Sequence, residues 1–302
     1  MFDFLNAATL TQNDFNDETE YVLPGFLAKN MITMIYADGG NGKSWLALGL
    51  AQYCARLHMP VIYLDFDNPL TVLRDRGVNE KLVAKFPNLQ YIQRSKSELS
   101  PFDLLSALSS RATAHAFEGR IIIIDSLRNF GDVNNDAKIM LVMDMLMNIR
   151  EAGATIVVLH HSNKDGRNYQ GSNNIRNSVD NMFRLKKLEL SSGIGALLSA
   201  VKERCAIDDK AFDICPNTLT LTERDLIEAK STEEDLEFID LVKAALTVAP
   251  GLNKTAVLEA AGASKDDKTA RARLDKYDGI YWNSKKNHTR IVYQLASSLS
   301  KL

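Results

Sequence analysis

Short apolar runs recur along the first two-thirds of the chain: Ile32 to Tyr36, Val61 to Phe66, Leu89 to Gln93, Ile121 to Ile124 and Ala154 to Leu159. Between them lie stretches with helical spacing, at about 43 to 57, about 101 to 117 and a Met- and Leu-rich segment ending at Arg150. Apolar runs of this length alternating with helices predict a parallel sheet with helices above and below, and the four isoleucines 121 to 124 predict a strand buried on both faces. The pattern then changes. Strands are expected at 181 to 190 and 196 to 206, turning through Ser191 to Gly195, followed by a hairpin from Phe212 to Leu221. Beyond an acidic, polar stretch come three helical segments, 236 to 246, 252 to 262 and 264 to 275, and two short strands, 279 to 283 and 289 to 295, turning through Ser284 to His288.

This organisation predicts an N-terminal arm (1–20), an α/β domain (21–222), a linker (223–234) and a small C-terminal domain (235–302). Three helices and a β-hairpin is the winged-helix plan, a helix-turn-helix variant. The arm carries Phe2, Phe4, Leu5, Leu10 and Phe15 among polar residues, so it covers either its own core or a neighbouring subunit.

Chemistry enters at the end of the first apolar run. Ala37-Asp38-Gly39-Gly40-Asn41-Gly42-Lys43-Ser44-Trp45 follows a strand and opens a helix, the context in which G-x-x-x-x-G-K-[ST] binds phosphate. Loop amides from Asp38 to Trp45 and the positive end of the helix point at phosphate oxygens, Lys43 reaches the β- and γ-phosphates, and the Ser44 hydroxyl holds Mg²⁺. Ala37 stands where the pattern has its first glycine, which the turn accepts only if its φ is negative. ATP with Mg²⁺ is the expected ligand.

Other candidates stand at the ends of the later strands, where open α/β sheets place their chemistry. Asp125 closes the isoleucine run, and a buried carboxylate there calls for a cation, Mg²⁺ held through water. The second run ends in Asp65 and Asp67. Alternation puts both on one face, with Asp67 nearer the nucleotide as the group that orients or deprotonates the attacking water; the alternative is a pair of acids capping the next helix, and it can hold for Asp65 alone. His161 is the candidate γ-phosphate sensor, His160 a structural residue. The Met stripe (Met140, Met143, Met145, Met147) reads as core packing. Ser162 to Ser178, with Lys164, Arg167, Asn173 and Arg176 among glycines and asparagines, is a long polar loop that suits a nucleic-acid backbone or is simply solvated. Lys202 and Arg204, two cations on one side of a strand near a sheet edge, suit a neighbouring subunit's nucleotide. In the C-terminal domain Lys265, Lys268, Arg271, Arg273, Lys285 and Lys286 form a basic face for DNA, with protein docking as the alternative.

Composition narrows these readings. A net charge of −2 excludes nucleic-acid binding by bulk charge, so local basic loops must carry it. Three scattered cysteines without C-x-x-C spacing offer neither a zinc site nor a disulfide framework. The lack of a long apolar run or a basic N-terminal start leads to the expectation of a soluble, cytoplasmic protein with no membrane partner.

The order and spacing of the phosphate loop, Asp67, Asp125, His161 and Lys202-x-Arg204 resemble the RecA-type core of hexameric replicative helicases, the RepA-type helicases of plasmids and related ATPases of mobile elements in particular. The resemblance covers about residues 20 to 222. It implies a RecA-like P-loop core with a mostly parallel twisted sheet, Lys43 and Ser44 on phosphate and Mg²⁺, Asp125 as the Walker B acid and Asp67 at the position of the catalytic Glu. It further implies His161 as sensor, Lys202 and Arg204 reaching the adjacent subunit's site, and the loops after Asp125 and His161 facing single-stranded DNA in the channel of a hexameric ring. Two departures stand out. Asp67 is a methylene shorter than Glu, and without a primase domain a helicase would need a separate primase or polymerase as partner. The competing expectation is a DNA-binding ATPase switch, a loader, recombination mediator or regulator, that does not unwind.

Overall fold

The computed structural model describes residues 9–15, 18–164, 166–190, 192–287 and 290–296. Phe2, Phe4 and Leu5 of the expected arm, Ser191, and His288 and Thr289 of the expected turn and last strand lie outside them. Leu10 and Phe15 are exposed, Phe15 within a short 3₁₀ turn, Gln12–Phe15. The chain divides into two compact units, Met1–Leu226 and Ile227–Leu302.

The first unit is an α/β fold built on one large, mostly parallel sheet. A small ribbon of β1 (Tyr21–Leu23) and β2 (Leu27–Ala28) precedes β3 (Ile32–Ala37), which runs into α1 (Lys43–Arg56). Then come β4 (Val61–Asp65), α2 (Leu70–Asp75), β5 (Leu89–Gln93), α3 (Pro101–Ser109), β6 (Ile121–Asp125), α4 (Asp136–Glu151), β7 (Thr155–His161), α5 (Asn173–Ser178), β8 (Asn181–Leu188), β9 (Ile194–Lys202), β10 (Lys210–Ile214) and β11 (Leu221–Glu223). Among the described residues they build a nine-stranded sheet in the order β11-β10-β9-β8-β3-β7-β6-β4-β5. From β8 to β5 every pairing is parallel, and from β8 outward to β11 every pairing is antiparallel.

The isoleucine run shows why the sheet is buried twice. Ile121 and Ile123 pack into the core under α1, whereas Ile122 and Ile124 pack into the opposite core under α4. Met143 is fully buried in that second core, and Met145 and Met147 pack against it, so most of the methionine stripe is core as expected. Parallel register then sets the C-terminal ends of β3, β7, β6 and β4 along one edge: Ala37 is level with His161, and Asp65 with Asp125.

Several expected boundaries shift, each for a local reason. The helix expected over 101 to 117 starts at its Ser100 cap but ends at Ser109, where the Ser110 hydroxyl and Arg111 guanidinium both take the Ala107 carbonyl and His115 has positive φ. β4 ends at Asp65 because the Asp65 carboxylate accepts the N–H groups of Asp67 and Asn68 and turns the chain there. The alternation argument for Asp67 therefore fails, since the turn and not the pleat places it. The polar stretch 162 to 178 is not all loop: Ser172 caps α5 by accepting the Asn174 N–H. The stretch expected as a linker contains α6 (Leu226–Lys230) and the start of α7 (Glu233–Val248).

In the second unit α7, α8 (Lys254–Ala260) and α9 (Lys268–Lys276) surround Phe238, Val242, Leu258, Leu274 and the fully buried Trp282. A sheet ordered β12-β14-β13 completes it, from β12 (Leu252–Asn253), β13 (Trp282–Asn287) and β14 (Arg290–Leu295). Lys285 and Lys286 lie within β13 rather than in the turn. The last helix starts at Lys268, not Ser264, because Asp267 accepts the N–H groups of Thr269 and Ala270.

Candidate functional site: a phosphate loop among buried carboxylates

The loop between β3 and α1 bends through Gly40 at φ +77° and Gly42 at φ +86°, angles that favour glycine. Ala37 is not among the positive-φ residues, so the pattern's missing first glycine costs nothing. A Cβ placed on Gly39 or Gly40 would meet no atom within 4 Å, so the loop stands clear of protein on that side. Asp38 accepts the Gly39 N–H at 2.8 Å, and the Asn41 side chain donates to the Asp38 carbonyl. Lys43 is 8 % exposed, and its ammonium donates to the carbonyls of Ala37 at 2.8 Å and Asp38 at 2.9 Å. Burial pushes its pKa down, while Asp125, Asp67 and Asp38 pull it up.

Asp125 lies 2 % exposed at the end of β6. Burial and the nearby Asp65 and Asp67 carboxylates push it up to about 6, against hydrogen bonds from Ser44 and Tyr63. Such a concentration of negative charge beside one lysine wants a further cation. Ser44 and Asp125 are the pair that would hold Mg²⁺, with phosphate oxygens and water filling the remaining positions in the way this ion prefers. Among the described residues no group of three or more His, Cys, Asp and Glu could hold a metal by itself. His161 supplies a second sign of fit: it is half-buried, yet its Nε2 is enclosed without a hydrogen-bond partner among the described residues. Burial, then Lys43 and Arg128, lower its pKa, so the ring is neutral and has an N–H or lone pair for an incoming oxygen. His160 is the structural residue expected, fully buried with Nε2 2.6 Å from the Gln170 carbonyl.

The two acids at the end of β4 separate. Asp65, fully buried, is consumed by structure: it accepts from the Asp67 and Asn68 amides, from Asn68 Nδ2 and from Tyr91 Oη at 2.6 Å. Asp67 faces the site, where Oδ1 accepts from Arg128 Nη2 at 2.8 Å and Asn129 Nδ2 at 3.4 Å. Burial alone would raise the Asp67 pKa, but Arg128 and Asn129 outweigh it and hold the carboxyl below its ordinary range. A cleft of about 410 Å³ opens beside Asp67, lined by Phe66 to Thr71 and Gln93 to Ser95.

A match to the AAA domain family model spans residues 7–167, more than half of the chain. The chain belongs to the AAA domain family. No curated protein matches it. Among solved structures, the flagellar accessory protein FlaH from Methanocaldococcus jannaschii is similar at 17 % identity, over 72 % of this chain and 97 % of that one, with a TM-score of 0.47. P-loop ATPase chemistry thus rests on the family and on the site.

The remaining expected residues of the first unit lie apart from the phosphate loop's own contacts. Lys202 donates to the carbonyls of Arg176, Asn177 and Val179, closing the C-terminal end of α5, and Arg204 pairs with Asp180 at 2.8 Å, a carboxylate that Arg150 also holds. Both cations are therefore engaged within their own subunit, a point the strand pattern did not disclose. The loops after β6 and β7 are joined: Ser172 donates its N–H to the Val133 carbonyl, its hydroxyl bonds Asp136, and Tyr36 donates to the Arg167 carbonyl. Lys164 and Arg167 are exposed on the second of these loops and Asn173 and Arg176 are exposed on α5, where Asn173 accepts from Tyr169.

In the C-terminal unit Lys265, Lys268, Arg271, Lys285 and Lys286 are exposed, whereas Arg273 is tied to Glu234 and Asp235. Arg273 therefore serves the fold of that unit, a correction to its place on the basic face.

Sequence reasoning missed four contributors: Arg128, Asn129, Asn68 and Tyr63. Asn68 Nδ2 bridges the Asp65 and Asp125 carboxylates, and its Oδ1 accepts from Arg76, whose guanidinium also lies over Trp45 at 5.2 Å. The available signal was position: Asn68 follows Asp67 directly, and Arg128 and Asn129 sit within four residues of Asp125.

Proposed function

We propose that this ATPase is a translocase of the RepA helicase type, in which six copies form a ring, ATP lies between neighbours and hydrolysis moves the joined loops along single-stranded DNA. The observation carrying this reading is the direct descent of both loops from the site. Asp125 leads within three residues to Arg128 on the first, and His161 opens the second. A change at the γ-phosphate thus has a short covalent path to the basic residues Lys164, Arg167 and Arg176.

In the mechanism so proposed, the amides from Gly39 to Trp45 and the Lys43 ammonium bind the triphosphate, Lys43 exchanging loop carbonyls for phosphate oxygens. Mg²⁺, when bound, would neutralise phosphate charge. Asp67 orients the attacking water and accepts its proton, and His161 donates to the γ-phosphate. Lys202 and Arg204 complete a neighbour's site after leaving their carbonyl and Asp180 partners. The C-terminal unit, read as a winged helix, adds duplex contacts through Lys265, Lys268, Arg271, Lys285 and Lys286. A separate primase or polymerase completes replication of the plasmid, phage or other mobile element.

One observation favours the alternative of a DNA-binding ATP switch without unwinding: Asp67 is short, and its Oδ1 is occupied by Arg128 and Asn129. ATP hydrolysis with and without single-stranded DNA separates the two, since a motor is stimulated by DNA and Lys43→Ala abolishes its activity. Mass measurement in solution with ATP and oligonucleotide reports the ring. If Arg204→Ala protein mixed into wild type lowers activity no further than dilution does, the shared site is wrong.

A further inference from the structure

Two tyrosines beneath the carboxylates repeat one contact on adjacent strands. Tyr91 on β5 is level with Tyr63 on β4, and Tyr63 is level with Ile123 on β6. Each hydroxyl reaches the acid two positions farther along the neighbouring strand. Tyr91 donates to Asp65 Oδ2 at 2.6 Å, and the fully buried Tyr63 donates to Asp125 Oδ2 at 3.2 Å. The two rings stack at a centroid distance of 4.6 Å and an angle of 11°, which fixes both phenol oxygens. Asn68 adds a second donor: its Nδ2 lies 3.3 Å from Asp125 Oδ2 and 3.1 Å from each Asp65 oxygen. That amide is itself held, since its Oδ1 accepts from Arg76 Nη1 and the Asn68 carbonyl accepts from Gln93 Nε2. Tyr63 and Asn68 therefore fall on the same oxygen of Asp125.

We infer that Tyr63 and Asn68 are positioning residues for magnesium: by engaging Asp125 Oδ2 they fix the plane of the carboxylate and reserve Oδ1 for the water that the cation carries. The inference rests on the ATP and Mg²⁺ reading of the site and adds what orients its acid. The terminal torsion of an aspartate is broad, so an unheld carboxylate samples many planes. Two donors on one oxygen narrow that range. Both are neutral, so they orient Asp125 without cancelling the charge that attracts the cation. Asp65 acquires a purpose in the same scheme, because it anchors Asn68 directly and, through Tyr91, braces the stacked Tyr63 ring. Orientation matters more to one ion than to another. Mg²⁺ demands near-ideal octahedral geometry, whereas Ca²⁺ accepts irregular shells of oxygen ligands. Loosening Asp125 should therefore penalise magnesium more than calcium.

The test is calorimetric titration of the full chain with ATP in excess Mg²⁺, in excess Ca²⁺ and in EDTA, for wild type, Tyr63→Phe, Asn68→Ala and Tyr91→Phe, with thermal melts as the check on folding. The ratio of Kd in EDTA to Kd with a metal gives that metal's contribution to binding. Tyr63→Phe keeps the stacked ring and loses only the hydroxyl. It and Asn68→Ala are each expected to cut magnesium's contribution about tenfold, the low end of what losing an outer partner costs a metal site. Calcium's contribution and the Kd in EDTA should each change by less than about threefold. Tyr91→Phe removes the matching hydroxyl from Asp65 instead of Asp125 and should bind as wild type does. Should Tyr63→Phe fail to fold, Asn68→Ala decides the matter alone. A magnesium contribution kept in the folded variants, an equal loss for calcium, or an equal loss in Tyr91→Phe overturns the positioning role while leaving nucleotide binding intact. A wild-type chain without ATP affinity, or with none that depends on magnesium, overturns the reading on which the inference rests.

Discussion

Replacing Asp125 by Asn tests the idea that the site stores unfavourable charge until its cation arrives. Asp125 is buried beside two other carboxylates, and its pKa rises from the ordinary 3.8 to about 6. That rise corresponds to ~3 kcal/mol by which the folded chain, without ligand, is destabilised once the group is ionised. The sign follows from linkage. Below about pH 4 the group is protonated in folded and unfolded chains alike and contributes nothing; the penalty grows as pH rises and is complete above about 6. Asn keeps an acceptor for Tyr63 and Asn68 but brings an N–H₂ group whose own partners are incomplete, so the net gain is reduced to roughly 1–2 kcal/mol. For a unit of this size that gives a melting temperature higher by roughly 3–6 °C. Thermal unfolding without ligand should thus place Asp125→Asn above wild type at about pH 8 and level with it at about pH 4.5. With Mg²⁺ and ATP added the order should reverse, because binding at 100 times Kd stabilises wild type by about 2.7 kcal/mol and the variant has lost a metal-holding group. A variant less stable than wild type at pH 8 without ligand, or a gap that ignores pH, would refute the argument.

Gly171 has φ +100°, and a Cβ there would lie 2.4 Å from the Val133 carbonyl oxygen. Gly171→Ala should therefore push the two loops apart at a cost of at least ~1–2 kcal/mol, leaving ATP binding intact while DNA stimulation of hydrolysis falls. In the C-terminal unit Arg273→Ala should lower thermal stability, since it removes one of the cations holding Asp235, whose carboxyl Lys276, Tyr277 and Arg273 together bring to about 2 against the effect of burial. Lys285→Ala with Lys286→Ala should leave the melting temperature within about 1 °C yet weaken duplex binding and flatten its salt dependence, measured by fluorescence anisotropy.

What the sequence disclosed and what it hid divide along the range of the interactions. The phosphate loop is local chemistry: Gly40 and Gly42 set the backbone, and Lys43 and Ser44 follow because the helix must start there. The isoleucine run likewise announced a strand buried twice and the acid at its end. The Asp67–Arg128 pair spans 61 positions and depends on β4 lying beside β6, an adjacency no local pattern encodes. The sequence already preferred Asp67 to Asp65 for the site, but by strand alternation; what separates them in the structure is the turn in which Asp65 accepts the Asp67 and Asn68 amides. Lys202 and Arg204 were not legible as internally paired because their partners, carbonyls at the C-terminal end of α5 and just past it and the Asp180 carboxylate, follow a helix concealed within a polar stretch. The C-terminal basic face was legible as composition, but Arg273 could be subtracted only once α7 and α9 were packed together.

The most direct measurement is calorimetric titration of the full chain with ATP and Mg²⁺, for wild type and Lys43→Ala. Saturable binding by wild type, weakened at least tenfold by the substitution and dependent on magnesium, is the expected result. Absence of ATP affinity in the wild-type chain, with or without a single-stranded oligonucleotide, would contradict the account at its root.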